Sequence, residues 1–241
     1  MARSTLLRRA QDLWVHLAGV PAGFPTDGVR VVVAADSRLC PPGWAGVVVL
    51  GDAGLATAPD AATARFLRDS LAARSARSAV AAQRWRGIPG IRDVLGPATL
   101  AYLDEPEFQP ATGMVDVAPL PPGHPDLAAF LAAVAADEAA ESGLRDVTSP
   151  VFVVREGSRV VAAAGYRRWP GSVAHLGVLT GAGFRGRGLA AAVAAAAVAD
   201  ALGDDLLPQW RARPEPSRRL ARRLGFRELG DQVSIRVDPI D

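Results

Sequence analysis

Apolar residues recur at helical spacing along Ser4–Leu17, at Leu6, Leu7, Leu13, Trp14 and Leu17, and Pro21, Gly23 and Pro25 end the pattern. This predicts an N-terminal helix. Short β-branched runs at Val29–Ala34 and Ala45–Leu50, each bounded by turn residues, predict strands. Ala56–Ala72 reads as a helix with Thr57 or Asp60 as its N-cap. Arg84–Pro97 selects no element, and Leu100–Leu103 reads as a strand leading into the polar stretch Asp104–Gly113.

After that stretch the pattern restarts. Met114–Ala118 reads as a strand stopped by Pro119, and Asp126–Ala136 and Glu138–Gly143 read as helices. Val151–Arg155 and Arg159–Arg167 form a hairpin about Glu156-Gly157-Ser158, and Val173–Thr180 is a further strand. A glycine-rich loop then opens an alanine-rich helix, Gly188–Leu202. A strand at Pro208–Ala212, a helix at Pro216–Leu224 and strands at Phe226–Glu228 and Val233–Val237 complete the order β-α-α-β-β-β-α-β-α-β. Such an order makes a mixed α/β layer fold. Residues 1–112 and 113–241 are therefore expected to be two domains, with no internal sequence repeat.

Composition narrows the chemistry. The chain has 241 residues, 49% hydrophobic and 22% charged, as in an ordinary globular protein. All 27 basic residues are arginine, so no lysine can act as a Schiff-base nucleophile or general base. The single cysteine, Cys40, excludes an internal disulfide and a cysteine-based zinc site, and no metal is expected. It also fits a reducing, cytoplasmic compartment. The longest apolar run, Leu189–Ala199, is too short to span a bilayer and suits a buried helix. No apolar segment of signal-peptide length follows the N-terminal arginines, so a soluble protein without a membrane partner is expected. Net charge is only +2, but nine arginines fall between Arg185 and Arg227.

The chemical signal lies in Leu176-Gly-Val-Leu-Thr180 followed by Gly181-Ala-Gly-Phe-Arg185-Gly-Arg-Gly188-Leu-Ala190. A strand runs into a glycine-rich turn that opens a helix. Amides of a first helical turn lack internal partners, and the helix dipole is positive there. Glycines let an anion approach that backbone closely, and Arg185 and Arg187 add charge at the rim. Gly181-x-Gly183-x-x-Gly186 also fits the dinucleotide fingerprint. That reading is set aside, because the motif comes late and only about fifty residues follow it. No strand ending in an acidic residue lies at the ribose-binding distance either.

Arg185-x-x-Gly188-x-Ala190 resembles the acetyl-CoA motif of the GNAT superfamily, and Ser217-Arg-Arg-Leu-Ala-Arg-Arg-Leu224-Gly225-Phe226 resembles that family's closing helix and the turn after it. The resemblance covers about residues 114 to 238. It implies a GNAT-like acyl-CoA-binding fold in the C-terminal half and a small α/β accessory domain in the N-terminal half. It further implies an N-acetyltransferase with acetyl-CoA as co-substrate. The backbone of Val178 and Thr180 would hold the pantetheine arm like an added strand. Arg185, Gly186 and the amides of Arg187, Gly188, Leu189 and Ala190 would hold the pyrophosphate, with Ser217 a further cofactor contact. The acceptor is expected to be a small-molecule amine or a protein N-terminus, and the accessory domain to cover the acceptor groove or form a homodimer contact.

The catalytic groups are less defined. Relatives often carry an acidic tyrosine on the closing helix, where this chain has Ala221, and its two tyrosines, Tyr102 and Tyr166, lie in other elements. His175 is the candidate base, although the family's carboxylate base aligns with Ala174. Glu138 and Glu141, on the second helix of the region, lie where relatives line the acceptor groove, and Glu141 is carried as a second catalytic candidate. Two other readings stay open. One is an inactive acyl-CoA sensor, which the missing tyrosine allows. The other is a nucleic-acid-binding protein, which lacks interleaved aromatics and a reading helix.

Overall fold

A computed structural model describes residues 2–72, 75–111 and 115–238. The chain divides into two compact units, Met1–Leu100 with Glu228–Asp241, and Ala101–Arg227. The boundary expected at 112/113 lies outside the described residues.

The first unit is built from α1 (Ala2–Ala18), β1 (Gly28–Val33), β2 (Ala45–Leu50), β3 (Ala53–Ala58), α2 (Ala61–Leu71), the short α3 (Ala76–Ala79) and α4 (Ala82–Trp85), and β4 (Ile91–Tyr102). The C-terminal strand, β10 (Arg227–Val237), also joins this sheet, giving the order β1-β3-β2-β10-β4. Its Gly230–Ile235 segment runs antiparallel to Leu50–Ala45. The sequence pattern assigns this strand, in two pieces, to the other half of the protein. A strand's partner is chosen by long-range pairing, which local pattern does not encode. β3 is a second difference, since the pattern places part of Ala53–Ala58 in a helix. The helix begins later, after Asp60, whose side chain accepts from Thr63 N at 2.7 Å as an N-cap. Thr57 instead lies in the strand, with its hydroxyl on Ser37 Oγ.

The second unit contains β5 (Ala118–Leu120), α5 (Pro125–Ala132), α6 (Ala136–Glu141), β6 (Val151–Glu156), β7 (Arg159–Trp169), β8 (Val173–Thr180), α7 (Leu189–Gly203), β9 (Leu207–Ala212) and α8 (Glu215–Arg223). β5 starts only at Ala118, and Met114 of the expected strand lies outside the described residues. The strand order is β9-β8-β7-β6-β5, antiparallel throughout except for the parallel β8/β9 pair. One face packs on α7, where Ala162, Ala164, Tyr166 and Ala174 meet Val193, Ala194, Ala197 and Val198. Alanine on both sides lets helix and sheet approach closely, and each buried valine adds about 1.5–3 kcal/mol. The opposite face packs on α5 and α6 through Leu127, Phe130, Leu131 and Ala139 against Val151, Val153, Ala163 and Leu179.

Gly177, in the middle of β8, fixes the position of the chain leaving α6. A Cβ there would lie 2.5 Å from the carbonyl oxygen of Ser142, so only glycine lets that segment cross the strand so closely.

Candidate active site

The site is organised by the two edges of β8. Toward β7 the ladder is complete, from Trp169↔Val173 to Ala162↔Thr180. Toward β9 it covers only Val173↔Leu207, Ala174↔Pro208 and His175↔Gln209. Backbone direction then follows from the period of two. Gly181 N donates to Val161 O on the β7 side, at 3.0 Å, and Ser172 O accepts from Leu207 N on the β9 side, at 2.8 Å. Counting from either bond, Leu176, Val178 and Thr180 face the β9 side; the Leu176 N–H closes the last ladder pair on Gln209 O, and Val178 and Thr180 lie beyond it. The strand thus offers an open backbone edge at the residues expected to hold an extended ligand.

That edge leads into the anion loop. Gly188 caps α7 in the left-handed conformation at φ 78°, and Gly186 has the same φ. A Cβ on either would meet nothing within 4 Å, so the space beside both backbones is open. The first amides returned within the helix are those of Ala191 and Ala192, both to Gly188 O. Leu189 and Ala190 therefore present the unreturned donors of the first turn. The two rim arginines are tied to carboxylates. Arg185 Nη2 donates to Glu138 Oε1 at 2.6 Å and its Nε to Thr180 O at 3.3 Å. Arg187 meets Glu156 Oε1 at 3.5 Å and lies over the Phe184 ring. These pairs are solvent-exposed and worth at most about 1 kcal/mol each, so a phosphate can displace them.

At the other end of the open edge the groups are side chains. His175 Nδ1 contacts Gln209 Oε1, and the imidazole stacks on Trp169 with centroids 4.1 Å apart and planes 12° apart. Burial pushes the His175 pKa down to about 3; Arg211 and Arg167 act the same way, and the Gln209 contact opposes them. The ring is therefore neutral throughout the physiological range. Arg211 is crowded enough that burial lowers its pKa, with Arg213 adding to the effect and Tyr102 and Glu141 opposing it, yet it remains open to solvent. Glu141, on α6, pairs with Arg213 Nη2 at 3.0 Å just beyond β9.

Residues 151–231 match the family model for GNAT acetyltransferase. That stretch, about a third of the chain, is similar to a GNAT acetyltransferase domain. Among solved structures, a GCN5-related N-acetyltransferase-like protein from Streptococcus suis is similar at 17% identity and a TM-score of 0.51, over 96% of this chain and 98% of that one. That likeness shows a shared fold along nearly the whole chain. A putative GNAT-family acetyltransferase from Novosphingobium aromaticivorans aligns at 24% identity and a TM-score of 0.47, over 61% of this chain and 66% of that one. A GCN5-related N-acetyltransferase from Kribbella flavida aligns at 20% and 0.49, over 62% and 60%. The chain thus covers less than two thirds of the length of these last two structures. No curated protein matches the sequence.

Within the matched stretch, the structure brings Val178, Thr180, Arg185, Gly186, Arg187, Gly188, Leu189 and Ala190 into one strand, loop and helix start. Ser217 lies apart from them in sequence, on α8, where its hydroxyl accepts from Trp210 Nε1 at 3.0 Å. Ala221, where relatives often carry the tyrosine, is 2% exposed within the core that α7 shares with the sheet, so its side chain faces packing atoms. Tyr166 is spent structurally, its hydroxyl bonded to Asp200 Oδ2 at 2.8 Å. Gln209, Trp169 and Arg211 escape a reading of the sequence. Their signal is register alone: Gln209 lies opposite His175 in β9, and the β7/β8 hairpin sets Trp169 diagonally across from it.

On the α5/α6 face, a cavity of about 520 Å³ lies between Phe130, Val134 and Glu138 on one side and Val160, Gly181 and Phe184 on the other. Among the described residues no helix is long and apolar enough to cross a membrane, and no cluster of three metal-ligating side chains occurs.

Proposed function

We propose that this chain is an acyl-CoA-dependent N-acyltransferase that moves an acetyl group from acetyl-CoA to an amine by direct attack. The observation that carries the reading is the open edge of β8 running without interruption into the glycine loop and the unreturned amides of α7. An extended amide-bearing arm needs a strand edge, and a pyrophosphate needs backbone donors with no Cβ in the way. Both are present in that order. Acetyl-CoA supplies the thioester, whose carbonyl carbon the amine attacks.

In this reading Val178 and Thr180 bind the pantetheine arm through their backbone, and Gly186 to Ala190 bind the pyrophosphate. Arg185 and Arg187 exchange their carboxylate partners for phosphate oxygens. The His175 end of the edge then receives the acetyl group and the acceptor. The new C–N bond forms as the C–S bond breaks, and the proton lost by the amine balances the thiolate that leaves. With its pKa near 3, His175 does not store that proton, and it acts as a hydrogen-bonding group. Glu141, paired with Arg213, lies on the acceptor side in this reading. With Ala221 in the core, the thiolate takes its proton from water. A thiol pKa of about 8.5 makes it a tolerable leaving group without an acid.

The test is thiol release from acetyl-CoA by the full chain in the presence of primary amines, amino acids and peptides with a free N-terminus. Cys40, whose thiol burial pushes up to about 11, stays protonated and adds little background. Release that rises with one amine class is the expected result. Saturable acetyl-CoA binding with no amine turned over would favour the sensor reading, and absence of binding would end both.

A further inference from the structure

Gln209 is fully buried, at 0% exposure, yet its amide is only half used. Oε1 faces His175 Nδ1, whereas Nε2 has no hydrogen-bond partner among the described residues. A buried amide with a vacant donor costs its desolvation, and a leucine of similar volume would avoid that cost. The site also falls at one special point, the last β8/β9 pair before the strands cease to be laddered. The half of the amide that is used is the half that meets His175.

We propose that Gln209 is a positioning residue that holds His175 in its Nδ1–H tautomer, so that Nε2 of the ring accepts a hydrogen bond from the attacking amine. The inference rests on the acyltransferase reading above. Amide Oε1 can only accept, so the facing Nδ1 must carry the ring's single proton. Nε2 then keeps its lone pair. Trp169, stacked at 4.1 Å, fixes the plane of the ring, and Gln209 fixes its proton. A neutral ring so held orients the amine's N–H and aims the nitrogen lone pair at the thioester carbon. The amine's proton moves on to solvent, so the ring never has to become charged.

The measurement is a long-range ¹H–¹⁵N spectrum of the full chain. The sequence has only three histidines, and a His175→Gln variant assigns the signal. An Nδ1–H pattern for His175 supports the proposal, and an Nε2–H pattern overturns it. This spectrum needs neither cofactor nor acceptor, so it judges the positioning claim even if acetyl-CoA fails to bind and the acyltransferase reading falls. Gln209→Leu supplies the second test. The variant is expected to stay folded, to bind acetyl-CoA equally well, and to mix the two tautomers. Its kcat with the most active amine of the panel should fall about tenfold or more, as when the partner orienting a histidine is removed. A variant that loses stability while keeping kcat would mark Gln209 as a purely structural residue and overturn the proposal.

Discussion

The two ends of β8 are built on different principles. At Thr180 the groups that matter are main-chain: an open strand edge, two glycines at φ 78° and the first amides of α7, with exposed arginines around them. At His175 they are side chains, stacked and hydrogen-bonded across neighbouring strands. The first end tolerates change at its rim but none in its backbone. The second depends on one residue of each of three strands meeting in register, β7 through Trp169, β8 through His175 and β9 through Gln209. In the proposed reading, the backbone end holds the cofactor and the side-chain end serves the chemistry, so the two can vary separately.

The largest expected effect is at the cradle. Gly188→Val puts a β-branched side chain at φ 78°, which costs about 1–3 kcal/mol locally, and fills the open space beside the backbone. Acetyl-CoA affinity measured by calorimetry should fall more than about tenfold, while the protein stays folded. A parent-like affinity would break the distinction between the two ends. Gly177→Val, midway along the strand, should act on the fold itself. Its Cβ would meet Ser142 O at 2.5 Å, and overpacking of this kind costs about 1–3 kcal/mol, readable as a lower midpoint in urea.

A third effect isolates the His175 end. Its folded pKa, near 3, lies below the ordinary imidazole value of 6.5. The unfolded chain therefore binds a proton between those limits that the folded chain does not. Stability should rise with pH across that window, and be lost as pH falls from about 6.5 toward 3, by at most about 1.4 kcal/mol per pH unit. His175→Gln should remove that part of the slope in denaturation curves taken between pH 5 and 7. An unchanged slope would show that the ring is not held neutral. The smallest effect belongs to the rim. Glu138→Gln, which frees Arg185, should alter stability by less than about 1 kcal/mol and tighten acetyl-CoA binding slightly.

The same contrast explains what is legible in the sequence. Arg185-x-x-Gly188-x-Ala190 is local, so its loop and helix start can be read from the chain alone, as can the apolar α7. The hairpin of β6 and β7 is legible too, because Glu156-Gly157-Ser158 states its turn. Gln209 and Trp169 are not, since their roles arise from pairing between strands separated in sequence by intervening elements. β10 is hidden for the same reason: its residues read as strand, but nothing local says that Val233 will face Val47. Part of β3 reads as helix because Ala53–Ala58 is rich in alanine, and burial on the sheet overrides that propensity.

In the proposed reading, one open strand edge and the helix start after it bind acyl-CoA together. Titration of the ¹⁵N-labelled chain with acetyl-CoA tests it most directly. Saturable shifts are expected in the amides of Val178 and Thr180 and of Gly186 to Ala190, with the largest at Gly188 and Leu189. Shifts confined to residues outside these two segments, or none at saturating acetyl-CoA, would contradict it.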